Sequence, residues 1–120
     1  MKKLLFASVI TLSVLPLSVM AKGNASVKVN YACEGNQNTS ITYSFNKEGI
    51  PTKATTLIDG KMATLKYDLD KSDDSDTYFI NKKGDMIGMN VLTRDNVRSA
   101  DAVTVTNAKN QIVRKACSPQ

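Results

Sequence analysis

A small antiparallel β-barrel of about eight strands, closed by one disulfide, is the fold this sequence predicts. Three observations predict it. Apolar and polar residues alternate with a period of two along most of the chain after residue 26, the mark of strands buried on one face. The segments between them are short and rich in Asn, Gly, Asp and Lys, which is turn chemistry. The only two cysteines, Cys33 and Cys117, lie in the first and last of these strands.

The strands follow in order. Val27, Val29, Tyr31 and Cys33 alternate with Lys28, Asn30 and Ala32, and Ile41, Tyr43 and Phe45 alternate with Thr42 and Ser44. A threonine-rich strand at 54–58 meets one at 61–69 across Asp59-Gly60, a dipeptide that accepts the positive φ values of a two-residue hairpin. In the second of these, Ala63, Leu65, Tyr67 and Leu69 are expected on the core face. Further strands are expected at 77–80, 86–92, 102–106 and 111–117, separated by turns at 81–85 and 107–110. Tyr31, Tyr43, Tyr67 and Tyr78 all fall on strands and are expected in the core or the barrel wall. Many short strands in so few residues allow a sandwich or a barrel. Closure is favoured because it removes the edges along which strands aggregate.

The beginning of the chain predicts export. Lys2 and Lys3 precede a mostly apolar run at 4–19, and Val19-Met20-Ala21 supplies small residues at −3 and −1 of a signal-peptidase site. The run is short for a membrane span and is broken by Pro16. Residues 1–21 are therefore expected to be a secretory signal and residues 22–120 one mature domain without a transmembrane segment. Cys33 is too far downstream to carry a lipid anchor, so the expected location is the periplasm, the outer membrane or cell surface, or the medium. In an oxidising compartment an even cysteine count predicts a Cys33–Cys117 disulfide, with two buried free thiols as the alternative.

Composition narrows the function. Once Lys2 and Lys3 are removed, 14 basic residues stand against 11 acidic ones. That mild balance, without a basic stripe, gives no support for nucleic acid as a partner. Histidine is absent, no serine sits in a nucleophile setting, and the cysteines are expected to be oxidised, so the protein is not expected to be an enzyme. No cofactor and no metal are expected. The run Asp70-Lys71-Ser72-Asp73-Asp74-Ser75-Asp76 is rich in carboxylates. It lacks the central glycine and distal glutamate of the twelve-residue calcium loop and reads as a solvated acidic turn. Asp70, Asp73, Asp74 and Asp76 are candidates for steering a cationic partner. The longest connection, 93–101, carries Arg94, Arg98 and Ser99, which can engage carboxylates by charge-assisted and hydroxyl hydrogen bonds.

Several segments in order carry a resemblance: Tyr31-Ala32-Cys33-Glu34-Gly35, Tyr43-Ser44-Phe45-Asn46-Lys47, Gly49-Ile50-Pro51, Leu69-Asp70-Lys71-Ser72-Asp73 with Asp76-Thr77-Tyr78, Asn110-Gln111-Ile112-Val113 and Cys117-Ser118-Pro119. Together they resemble the neisserial adhesin complex proteins. That group is similar in fold to the membrane-bound and periplasmic inhibitors of C-type lysozyme. The resemblance implies an eight-stranded barrel with one disulfide, surface or periplasmic location, inhibition of C-type lysozyme, and a part in adhesion to host cells. The lysozyme inhibitors enter the enzyme cleft with a Ser-Gly-Ser-Gly-Ala type loop, which this chain lacks. Arg94, Arg98 and Ser99 are the expected substitutes, followed by the 81–85 turn. A binding module without inhibition, contacting host cells or outer-membrane components, is the alternative the residues leave open.

Overall fold

The computed structural model describes residues 25–120; the expected signal segment, residues 1–21, lies outside them. Eight strands run β1 (Ala25–Cys33), β2 (Gln37–Phe45), β3 (Pro51–Ile58), β4 (Lys61–Tyr67), β5 (Asp76–Ile80), β6 (Met86–Asn90), β7 (Val103–Thr106) and β8 (Ile112–Pro119). Each pairs antiparallel with its neighbour in sequence, and β8 returns to β1, so the sheet closes into a barrel.

Alternation produces the core as expected. Tyr31, Ile41, Tyr43, Phe45, Leu65, Phe79, Ile87, Val103 and Val105 fill the interior and are wholly or almost wholly buried. Aromatic rings span it: Tyr43 lies 5.8 Å from Phe79, and Tyr67 meets Phe79 edge-on at 6.0 Å. The two buried phenols satisfy each other, with Tyr31 Oη and Tyr43 Oη 2.7 Å apart and Tyr43 Oη also reaching Met89 Sδ at 3.7 Å. Burial pushes Tyr31 up to about 12, slightly offset by its bond to Tyr43. Burial raises Tyr43 further, helped by repulsion from Tyr31. Because folding raises both values, the stability they hold is complete below the unfolded tyrosine value of about 10 and is lost as pH rises toward the folded values. Cooperative alkaline unfolding between about pH 10 and pH 12 is the expected result, followed by circular dichroism. Tyr31→Phe should move the transition to higher pH, and an unmoved transition would show that another group drives it.

Several boundaries differ from the sequence expectation, and β3 begins at Pro51 rather than at 54. Strand β4 ends at Tyr67, and Leu69 is 78% exposed rather than in the core. Asp68 accounts for this: its Oδ1 accepts the Asp70 amide and its carbonyl the Ser72 amide, which peels the chain away from the sheet. Strand β6 stops at Asn90, and β8 runs on to Pro119. Tyr78 lies on the outer face, where its ring covers Gly88, its cross-strand partner. The pleat places Thr77 and Phe79 inward instead. Thr77 can be buried because its hydroxyl accepts the Leu92 amide at 2.9 Å.

Closure rests on a short seam. Only Tyr31↔Pro119 and Ala32↔Ser118 pair between β1 and β8, and the Cys33–Cys117 disulfide continues that register with a Cα–Cα distance of 4.0 Å. Strand β8 reaches it by two bulges against β7: three β8 steps match two on β7, then two match one. Ala116 sits within the first at φ 53°, which turns Cys117 into the interior.

Candidate functional site

Strand direction sorts the connections to the two ends of the barrel. One end, the loop end, carries the 46–50 turn, the 68–75 acidic loop and the 91–102 loop. The other, the turn end, carries the short connections at 34–36, 59–60, 81–85 and 107–111. Both segments singled out from sequence therefore meet at the loop end. They are physically joined there, since Val91 donates its amide to the Ser75 carbonyl at 2.9 Å.

The 91–102 loop is built as a lid with an internal frame. Leu92, Val97 and Ala100 turn inward and are buried as part of the hydrophobic core. Asn96 organises the rest. Its side chain accepts the Thr93 amide at 2.8 Å and donates to the Val91 carbonyl at 3.0 Å, while its carbonyl accepts the Ser99 and Ala100 amides. The flanks are tied as well: Asn90 Nδ2 donates to Asp101 at 2.8 Å, and Arg94 donates its amide to the Gly49 carbonyl at 3.1 Å. Gly49 adopts φ +83°, and a side chain added there would touch Arg94 Cβ.

Arg94, Arg98 and Ser99 project from this frame and are exposed. Arg98 reaches the Lys28 carbonyl on β1 through Nη1 at 3.4 Å, and the Ser99 hydroxyl donates to the Asn96 carbonyl at 3.1 Å. Ser99 thus shapes the turn and still offers its oxygen as an acceptor. Among the described residues the sole ion pair is Lys115–Glu34, so both arginines present uncompensated guanidinium groups. Sequence reasoning placed the charged members of this loop and put Leu92 at the end of a strand, but missed that Leu92, Val97, Ala100 and Asn96 hold the loop. The apolar spacing within 92–100 was the available signal, and it fits neither a strand nor a longer helix.

The acidic loop is ordered by its own carboxylates. Asp73 Oδ1 accepts the Ser75 amide at 2.8 Å and the Asp76 amide at 2.9 Å, and these two bonds hold its carboxyl below the usual carboxylate range. Ser72 Oγ accepts the Tyr78 amide at 2.9 Å, pinning the loop to β5. Asp70, Asp73 and Asp74 are exposed and Asp76 half-buried. Together with Asp68, Asp95 and Asp101, carboxylates outnumber the cations Lys47, Lys71, Arg94 and Arg98 at this end. No three His, Cys, Asp or Glu side chains among the described residues converge as metal ligands.

Apolar groups complete the surface. Ile50, Leu69 and Val91, one from each connection at the loop end, are exposed at 47%, 78% and 38%. The Tyr31 and Tyr43 side chains are enclosed in the barrel interior, below this surface.

Comparison with known proteins gives two findings. A family model described as an ACP-like domain matches residues 27–119. The solved structure of the Adhesin Complex Protein from Neisseria meningitidis is similar at a TM-score of 0.73 and 36% identity, covering 79% of this chain and 100% of that one. A search of curated proteins finds no match.

Proposed function

Because the chain belongs to the family of ACP-like domains, we propose that it is an exported, adhesin-type binding protein that inhibits C-type lysozyme by filling the enzyme's cleft with the 93–101 loop. The adhesin-related role rests on the likeness to the Neisseria meningitidis protein. The inhibitory reading rests on one observation: a loop anchored by Leu92, Val97 and Ala100 presents two unpaired arginines beside a cluster of aspartates.

Lysozymes of this type cleave peptidoglycan with two carboxylates across an open groove. Arg98 and Arg94 match those carboxylates through charge-assisted hydrogen bonds, and Ser99 adds a hydroxyl at the same face. Occlusion needs no chemistry from the inhibitor. The rigid frame lowers the entropy lost on binding, because the loop is already ordered. C-type lysozymes are basic proteins, so Asp70, Asp73, Asp74 and Asp76 would draw the enzyme toward the loop end.

The test is lysis of a bacterial cell-wall suspension by a C-type lysozyme, titrated with the folded, oxidised protein. Stoichiometric loss of lysis is expected. Absence of inhibition at micromolar excess would remove the inhibitory reading. Replacing all four aspartates by asparagine should slow association and flatten its salt dependence while leaving dissociation almost unchanged. An unaltered salt dependence in stopped-flow measurements would exclude them from steering.

A second reading is favoured by Ile50, Leu69 and Val91: the same end binds a host-cell or outer-membrane component without inhibiting lysozyme. Retained cell binding by a protein that fails the lysis assay would establish it.

A further inference from the structure

The barrel is closed, but one strand keeps a free edge. Strands β4 and β5 pair only at Lys66↔Ile80 and Tyr67↔Phe79, and Asp68 donates its amide to the Tyr78 carbonyl at 2.8 Å. That register turns the backbone groups of even-numbered β4 residues toward β5 and those of odd-numbered residues toward β3. Beyond Ile80 the chain leaves β4 and turns through residues 81–85. The amides and carbonyls of Thr64 and Met62 therefore face a strand position that nothing occupies. Among the described residues no backbone hydrogen bond outside the strands reaches either residue.

The space beside this edge is a cleft of about 590 Å³, lined by Lys61 and Thr64 of β4 and by Asn81, Lys83, Asp85 and Lys109 of the neighbouring turns. A shallower groove continues it over Thr64 and Asn81 to Lys66 and Lys82. None of these five lysines has a carboxylate partner among the described residues. Three acids share this lining, Asp85, Asp59 and Asp68, each bonded by a neutral amide (Asn81, Asn107 and the Asp70 backbone), and the five lysines outnumber them. On the outer face next to the edge, Met62 and its cross-strand partner Leu57 are exposed at 65% and 58%.

We propose that this edge takes up an extended acidic peptide segment of a partner protein as one further antiparallel strand beside β4. Backbone bonds to Thr64 and Met62 would supply the register. Glutamate or aspartate side chains of the incoming segment would meet Lys61, Lys66, Lys82, Lys83 and Lys109, and its apolar side chains the Leu57–Met62 pair. A second copy of this chain is the poorer occupant, because pairing two β4 edges brings the same lysines together from both sides. The site lies away from the loop end and does not depend on the reading of that end.

The probe is an acetylated peptide of alternating Glu and Thr, with the Lys-Thr peptide as control, added to the oxidised protein. The readout is residue-resolved amide exchange. In the free protein Met62 and Thr64 should exchange quickly while Ala63 and Leu65, bonded to β3, are protected. The acidic peptide should slow Met62 and Thr64 about tenfold or more, and Lys61→Glu with Lys109→Glu should weaken its binding by about the same factor. The variant should keep the parent's circular dichroism and its behaviour in the lysis assay. Three results would overturn the proposal. These are equal uptake of the basic peptide, no slowing at millimolar acidic peptide, or slowing without peptide in a protein that sediments as a dimer, which would assign the edge to a second copy.

Discussion

Replacing both Cys33 and Cys117 by serine is expected to remove about 2–5 kcal/mol of stability, a large share of the 5–15 kcal/mol that holds a domain of this size. The bridge closes a loop of 84 residues, so in the chain-entropy account most of its effect is on the unfolded ensemble. The native state adds to the effect here. The β1–β8 seam has two paired residues beside the disulfide, and β8 arrives there through two bulges. Without the bond, the ends of the sheet are held by this seam alone, a ladder as short as that between β4 and β5. Urea unfolding of the oxidised and serine forms should show a lower midpoint for the latter, with amide exchange accelerated first in β8. Equal midpoints would mean that the ladder alone closes the barrel.

Val97→Asp is expected to cost several kcal/mol, because it places a carboxylate without a partner at a site only 3% exposed. Its effect should go beyond stability, since Val97 holds the frame from which Arg94, Arg98 and Ser99 project. The complementary change, Arg94→Ala with Arg98→Ala and Ser99→Ala, touches exposed side chains and should alter stability by less than about 1 kcal/mol. Under the inhibitory reading it should raise the inhibition constant by roughly a hundredfold, as expected when central charged contacts are truncated. Thermal unfolding and the lysis assay measured on both variants separate the frame from the contacts. If the triple substitution left inhibition intact, the plug would lie elsewhere, and the 81–85 turn would be the next segment to alter.

Most of the barrel was legible because its core obeys period two, and a strand buried on one face can express its orientation only in that way. The Asp59-Gly60 hairpin was legible for a local reason: Asp59 at φ 52° and Gly60 at φ 81° are the geometry that dipeptide favours. Legibility failed where a side chain competes with the ladder. Leu69 continues the alternation of β4, but the Asp68 carboxylate captures the next turn. Tyr78 looks more suited to a core than Thr77, yet the hydroxyl of Thr77 is bonded by the Leu92 amide, a contact between segments 15 residues apart. The bulges of β8 gave no signal because Ala116, not glycine, takes the positive φ. At the candidate site, charge was visible in composition. The anchoring by Leu92, Val97 and Ala100 was not, because it depends on where the barrel's open end lies.

The lid over that end divides its residues into two kinds. Leu92, Asn96, Val97 and Ala100 hold the loop, Thr93 and Ser99 brace its turn through their hydroxyls, and Arg94, Asp95 and Arg98 project outward. Change at the outward-projecting set is nearly free of folding consequences, so the outer face of the loop can vary while the fold is kept. The same division makes the loop a graft site: foreign contact residues can be written into the outward positions, provided the four anchors stay.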